Sequence, residues 1–379
     1  MRKYYKVLYC IAGTYNSGGM ERVLANKANW LVAHGYDVTI VTTDQRGGIP
    51  FFSLDNRIKC IDLNVNYESN NGKSFFNKLI NYPFKLYKHK KRLAKVLNEI
   101  KPDITISMFC NDASFLSSFN DGSKKILEVH FSRFKRLQYG RRGLWKLADV
   151  YRSKKEAVLA KKYDRFVVLT KEDMGYWGDI PNMCVIGNAR SFKIVEPAKL
   201  DNKKVIAVGR YSYQKGFDRL ITAWSKVCKQ EDGWMLQIVG DGELRHEMQL
   251  KIEELNIQDR VVLGKPEIDM QTVYCDASIL TMTSHYEGLP MVLLEAQAAG
   301  LPIVSFDCKC GPRDIISDGV DGFLIEEGNV DALAEKILLL IKNESLRKQM
   351  GTNAYISSER YDVDVVMHKW VALFDNIMK

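Results

Sequence analysis

Short apolar runs rich in Val, Ile, Leu and aromatic residues alternate along the chain with longer stretches whose apolar positions recur every three or four residues. The first pattern suits strands buried on both faces, the second amphipathic helices. Strand-like runs fall at Tyr5–Gly13, Asp37–Thr43, Ile58–Leu63, Ile104–Phe109, Lys125–His130 and Arg165–Thr170. After a polar stretch the series resumes at Lys204–Val208, Met235–Val239, Arg260–Leu263, Ile279–Met282, Ile303–Phe306 and Phe323–Ile325. Strand–helix alternation predicts an α/β fold with parallel, doubly wound sheets. At 379 residues, the chain exceeds what one core normally holds, so two domains are expected. We place them at 1–188 and 204–362, both Rossmann-like, joined by a linker over 189–203. An amphipathic helix over 363–379 closes the chain. Pro83 interrupts the periodicity of residues 74–97 and predicts two shorter helices there.

The most informative stretch runs from Ser284 to Pro302, between two strand-like runs. Pro290 suits the first turn of a helix, where its missing N–H costs nothing. Gly300 suits the position just past its end, with Pro302 preventing continuation. Glu287 then falls in the strand-end loop and Glu295 on the helix, the five residues from Pro290 rising roughly 7.5 Å. Two carboxylates bracket a helix start, whose free N–H groups favour a phosphate.

Elsewhere, Gly13 to Arg22 joins a strand to a helix through a glycine-rich loop. Gly18 is followed by Gly19-Met20 rather than Lys and Ser or Thr, which excludes a P-loop, and no Gly-x-Gly-x-x-Gly fingerprint is present. Arg210 and Lys215 flank another strand-to-helix turn, where they can converge on one anion. His130 stands at a strand's carboxyl end, where doubly wound sheets bind ligands.

These motifs carry a resemblance. Glu287-Gly288-Leu289-Pro290 followed by Glu295-Ala296 resembles the Glu-x7-Glu motif of family 4 glycosyltransferases, retaining enzymes of the GT-B architecture. Gly18-Gly19-Met20-Glu21 resembles the Gly-Gly-x-Glu loop of polysaccharide-building members. Gly209 to Gly216 resembles their Gly-Arg-x4-Lys-Gly, and Gly240-Asp241-Gly242 their Gly-x-Gly turn beside the nucleotide. The resemblance implies two facing domains with a cleft between them and a terminal helix crossing back to the first. It implies that Arg210, Lys215, Gly19 and the N–H groups of Gly288 and Leu289 bind the donor diphosphate, and that Glu295 holds the ribose. Gly18, Gly209, Gly240, Asp241 and Gly242 form loops against nucleotide or acceptor, while His130 and Glu287 serve the reacting centre. The implied reaction moves a hexose or N-acetylhexosamine from a nucleoside-diphosphate sugar to a lipid-linked surface glycan. Uracil is the expected base, with guanine the alternative. No Asp-x-Asp pair ends a strand, so neither metal nor other cofactor is expected.

Composition changes this picture in one respect. Residues 1–200 hold 35 Lys and Arg against 18 Asp and Glu, a net +17 within a chain total of +9. The basic excess gathers with aromatic residues over 74–97 and again from Phe131 to Trp145, where Arg133, Lys135, Arg136, Arg141 and Arg142 lie. Such segments suit an anionic membrane surface. The expected location is therefore cytoplasmic, peripheral on the inner face of the membrane, with no nucleic-acid partner. No apolar run approaches the roughly 20 residues of a membrane span. Eight scattered cysteines without zinc-ligand spacing agree with reduced thiols. Two other readings remain open: a sugar-nucleotide 2-epimerase, and a non-enzymatic protein binding anionic polymers or nucleic acid.

Overall fold

The computed structural model describes residues 4–70, 75–133, 135 and 143–379. The chain divides into two compact units, Met1–Gly187 with Val363–Lys379, and Asn188–Asp362.

The first unit is built from β1 (Lys6–Ile11), α1 (Gly19–Ala33), β2 (Asp37–Thr42), β3 (Lys59–Asp62), α2 (Phe75–Ile100), β4 (Ile104–Ser107), β5 (Lys124–Glu128), α3 (Leu144–Ala160), β6 (Arg165–Val168), α4 (Lys171–Trp177) and β7 (Met183–Val185). Its strands form one sheet in the order β3-β2-β1-β4-β5-β6-β7, every neighbouring pair parallel. β1 and β2 bury every residue after their first, because helices cover both faces of a parallel sheet and leave no polar side.

The second unit holds β8 (Lys204–Val208), α5 (Phe217–Cys228), β9 (Met235–Val239), α6 (Arg245–Glu254), β10 (Val261–Leu263), α7 (Met270–Cys275), β11 (Ile279–Met282), α8 (Met291–Ala298), β12 (Ile303–Phe306), α9 (Pro312–Ile315), β13 (Gly322–Ile325), α10 (Val330–Lys342) and α11 (Glu344–Ser357). Its parallel sheet runs β10-β9-β8-β11-β12-β13. Leu220, Ile221, Trp224 and Val227 of α5 lie at helical spacing and are buried in one core with Leu333, Ile337 and Leu340 of α10. Each large side chain so buried contributes about 1.5–3 kcal/mol before entropy is counted. Trp224 also donates its indole N–H to the Arg260 carbonyl at 2.9 Å, so its polar atom is satisfied inside that core.

The last helix, α12 (Val363–Ile377), belongs to the first unit. It packs on α1: Trp30 donates to Asp364 Oδ1 at 2.6 Å, and Lys27 Nζ lies 3.5 Å from the centre of the Trp370 ring.

One expectation is overturned. Residues 75–100 form a single 26-residue helix with Pro83 inside it, not two helices. Pro83 and its neighbours Tyr82 and Phe84 are exposed, so water can take the hydrogen bond that proline removes. A second difference is small: Pro290 precedes α8 as its cap, with φ −70° and ψ 112°, instead of entering the first turn. Of the second basic stretch, Arg136, Arg141 and Arg142 lie outside the described residues, as do the side chains of residues 75–80 and Trp145.

Candidate functional site

In each sheet the chain starts at an inner strand, builds outward, then returns to that strand's other side. The switch falls between β1 and β4 in the first unit and between β8 and β11 in the second. Loops leaving such a pair diverge to opposite faces and open a crevice at the strands' carboxyl ends.

In the second unit these loops are 209–216 and 283–290. Gln214 Nε2 donates to the Tyr286 carbonyl at 3.0 Å, the His285 amide to the Gln214 carbonyl at 2.8 Å, and Thr283 Oγ1 to the Lys215 carbonyl at 3.0 Å. Tyr213 stacks on the His285 ring, centroids 4.3 Å apart. The turn between Lys215 and α5 needs glycine at 216: φ is +58°, and a Cβ would overlap the Thr283 carbonyl oxygen.

This lacing brings two expected site residues together. Lys215 Nζ lies 2.7 Å from Glu287 Oε1, both side chains largely buried. The Glu287 backbone is fixed from the other side, its amide donating to the Lys309 carbonyl. Gly288 and Leu289 follow at the approach to α8, Leu289 buried. Arg210, at the loop's start, is exposed and makes no ion pair among the described residues. The structure does not bring it to Lys215.

The third loop of the site is 240–242. Gly209 and Tyr211 donate their amides to the Val239 and Asp241 carbonyls at 3.0 and 2.9 Å. This approach is why Gly240 must be glycine, since a Cβ there would occupy the Gly209 carbonyl oxygen's position. Asp241 Oδ1 accepts from the Gly242 amide at 2.9 Å, closing the turn.

Glu295, on α8, is buried. Its two carboxylate oxygens accept from Ser191 Oγ at 2.5 Å and Tyr274 Oη at 2.8 Å. Sequence reasoning missed both partners. Ser191 lies in the stretch read as a linker; instead, its neighbour Arg190 is buried and donates to Ser358 Oγ at 2.8 Å and Asp362 Oδ2 at 2.6 Å. Nothing in the local pattern marks either residue, since their partners lie far along the chain.

In the first unit, Gly18 caps α1 in extended conformation and exposed Gly19 opens the helix. The Glu21 carboxylate folds back over Gly18, so the favourable charge at this helix start comes from the protein itself. His130 lies two residues beyond β5, its Nε2 3.1 Å from Glu128 Oε1 but not aligned for a hydrogen bond. Glu128 Oε2 pairs with Lys27 Nζ at 2.6 Å. Burial would raise the Glu128 carboxyl, but the Lys27 ammonium and the His130 imidazole outweigh it and hold it down at about 2. Elsewhere in this unit, Asp112 has burial on its side without a cation, and its carboxyl is pushed up to about 7. Among the described residues no three His, Cys, Asp or Glu side chains converge as a metal site, and no helix is long and apolar enough to cross a membrane.

Comparison with known proteins agrees with this architecture. Residues 17–189 match the family described as Glycosyltransferase Family 4, and residues 189–357 that described as Glycosyl transferases group 1. The amylovoran biosynthesis glycosyltransferase AmsD of Erwinia amylovora is 31% identical over 97% of this chain and 98% of its own. The GalNAc-alpha-(1->4)-GalNAc-alpha-(1->3)-diNAcBac-PP-undecaprenol alpha-1,4-N-acetyl-D-galactosaminyltransferase of Campylobacter jejuni is 27% identical over 98% of this chain and 99% of its own. Among solved structures, a variant of TarM from S. aureus in complex with Fondaparinux, alpha-GlcNAc-glycerol and UDP superposes with a TM-score of 0.78 at 19% identity, covering 98% of this chain and 99% of that one. With its motifs, its two parallel-sheet units and these full-length relatives together, the chain belongs to the family 4 glycosyltransferases and has their GT-B fold.

Proposed function

We propose that the protein transfers a hexose or N-acetylhexosamine, with retention of anomeric configuration, from a UDP-sugar to a growing, lipid-linked surface glycan. The observation that carries this reading is the Lys215–Glu287 pair beside the start of α8, at the switch point of the second sheet. A cation, an acid and free helix N–H groups within one strand-end crevice suit the charged middle of a sugar nucleotide and the hydroxyls next to it. The relatives support the choice of substrates: the TarM complex holds UDP, and the Campylobacter enzyme is named for a PP-undecaprenol-linked glycan.

Breaking the glycosidic bond leaves negative charge on the nucleoside diphosphate. Lys215, with Arg210 swung in from its exposed position and the N–H groups of Gly288 and Leu289, is assigned to stabilise that charge. Glu287 then turns from Lys215 to the transferred sugar, Glu295 holds the ribose hydroxyls, and His130 of the first unit takes part in the same transfer. With these fixed cations and dipoles the reaction needs no metal. The test is a thermal-shift panel of UDP- and GDP-sugars, since a ligand that binds only the folded chain raises its Tm. A UDP-sugar should raise it, and the UDP released on turnover should be unaffected by EDTA. No shift with any sugar nucleotide, or loss of turnover restored by Mn²⁺, would overturn the reading.

The acceptor side is assigned to the first unit, working against the inner membrane face. Along α2, Phe84 and Tyr87 are 71% and 68% exposed, and with Lys91 they share one face at helical spacing. The adjacent face has another task. Lys85, Lys88 and Arg92 donate to the backbone carbonyls of residues 63–66, a loop in which Asn64 and Asn66 take positive φ. These cations hold a turn, so the apolar–basic row of Phe84, Tyr87 and Lys91 is the surface assigned to lipid.

A further inference from the structure

Inside the first unit a buried charged network lies behind His130. Glu128 and His130 are two residues apart at the end of β5, a spacing that sends side chains to the same face of an extended segment. Glu128 divides its oxygens between two partners: Oε2 meets Lys27 Nζ at 2.6 Å, and Oε1 lies 3.1 Å from His130 Nε2. Lys27 comes from α1 and is itself buried, its ammonium 3.5 Å from the centre of the Trp370 ring on α12 and 5.4 Å from that of Tyr9 on β1. Burial holds the Lys27 ammonium below its usual range, with the Glu128 carboxylate offsetting part of that, and the aromatic faces add to the stabilisation of the desolvated cation.

A buried ion pair is a poor stabilising device, because desolvation consumes most of the Coulombic gain and apolar replacements of equal volume often do as well. Its retention here has a different consequence. Burial favours the protonated acid, and Lys27 is the largest influence countering it; the carboxylate so held charged imposes a fixed field on the imidazole. Nε2 has no aligned hydrogen-bond acceptor, so at 3.1 Å the Glu128 carboxylate acts on the ring through its field and not through a hydrogen bond.

We propose that Glu128 is a positioning residue for His130, held in its charged form by Lys27, and that it acts on the transfer reaction only through the imidazole. The proposal rests on the assignment of His130 to that reaction. It is tested by a cycle of H130A, E128Q and the double variant, reading UDP released from UDP-glucose, UDP-galactose, UDP-GlcNAc or UDP-GalNAc, whichever raises the Tm most. E128Q should lower kcat about 10- to 100-fold, as loss of an orienting partner does elsewhere, with the donor KM within about twofold of native. In the H130A background E128Q should have no further effect. The paired variant K27M/E128L, which removes both charges and keeps the volume, should fold with a native circular dichroism spectrum and lose the same kcat. A native rate for H130A would remove the His130 assignment, and the proposal with it. An inactive H130A with a native E128Q, or losses that multiply in the double variant, would overturn the proposal alone.

Discussion

Lys215 and Glu287, drawn from the loops after β8 and β11, meet at 2.7 Å, so the cation assigned to the diphosphate and the acid assigned to the sugar neutralise each other. On the proposed assignment, a diphosphate entering this site takes Lys215 from Glu287, and the released carboxylate becomes available to a sugar hydroxyl. That assignment predicts that binding of the nucleotide part is coupled to presentation of the acid.

Glu287→Gln follows from that coupling. It should lower turnover at least about 100-fold, since the positioned charge is gone. UDP affinity should hold or tighten, because Lys215 no longer has a competing anion. Isothermal titration with UDP beside UDP-sugar turnover checks both. A weakened UDP complex would place Glu287 on the nucleotide instead.

Lys215→Ala should do the opposite. Loss of a charge-assisted contact of about 1.5–3 kcal/mol predicts roughly 10- to 150-fold weaker UDP binding. Uridine, without phosphates, should be bound equally by both proteins. An equal loss for uridine would mean that the variant damages the fold rather than the phosphate site.

Glu295 is held by Ser191 and Tyr274, which orient it before any ribose arrives. Native protein should discriminate against 2′-deoxy-UDP and 3′-deoxy-UDP, and Glu295→Gln should bind UDP and both analogues alike. Persistent discrimination in the variant would move the ribose contact elsewhere.

Asp112 makes stability depend on pH. Burial raises its carboxyl to about 7 from the ordinary 3.8, so between these values the folded chain binds a proton that the unfolded chain has released. Its contribution is complete below about pH 4, falls as pH rises through about 7, and is flat above; the span is at most about 4 kcal/mol. Asp112→Asn should flatten this part of the curve in urea melts at pH 5 and pH 8. An unchanged slope would assign the dependence to other groups.

The face of α2 assigned to lipid is separable from its loop-holding face by mutation. Phe84→Ser with Tyr87→Ser and Lys91→Glu should release the protein from vesicles containing phosphatidylglycerol while leaving its Tm within a few degrees. Arg92→Glu should lower the Tm, because Arg92 donates to the carbonyls of Leu63 and Asn64. Equal sedimentation of the triple variant and native protein would leave the lipid assignment unsupported.

The amino-acid order by itself determined the strands and the turns. Lys204–Val208, Met235–Val239, Ile279–Met282 and Ile303–Phe306 are found at the residues their apolar runs indicate. A strand buried on both faces is written as continuous local hydrophobicity, which no distant contact needs to supply. Glycine and proline positions were legible for the same local reason, as Gly300 shows by following α8 at φ +72°. Pro83 misled because a local helix-breaking signal was outweighed by the continuous amphipathic stripe on either side of it. Tertiary structure alone decided which charges meet. It paired Lys215 with Glu287, Lys27 with Glu128, and Ser191 and Tyr274 with Glu295, partners separated by 72, 101, 104 and 21 residues. It also committed Lys85, Lys88 and Arg92 to backbone carbonyls rather than a free basic face. A side chain's partner depends on sheet order and loop packing, and neither leaves a periodic trace in the sequence around it.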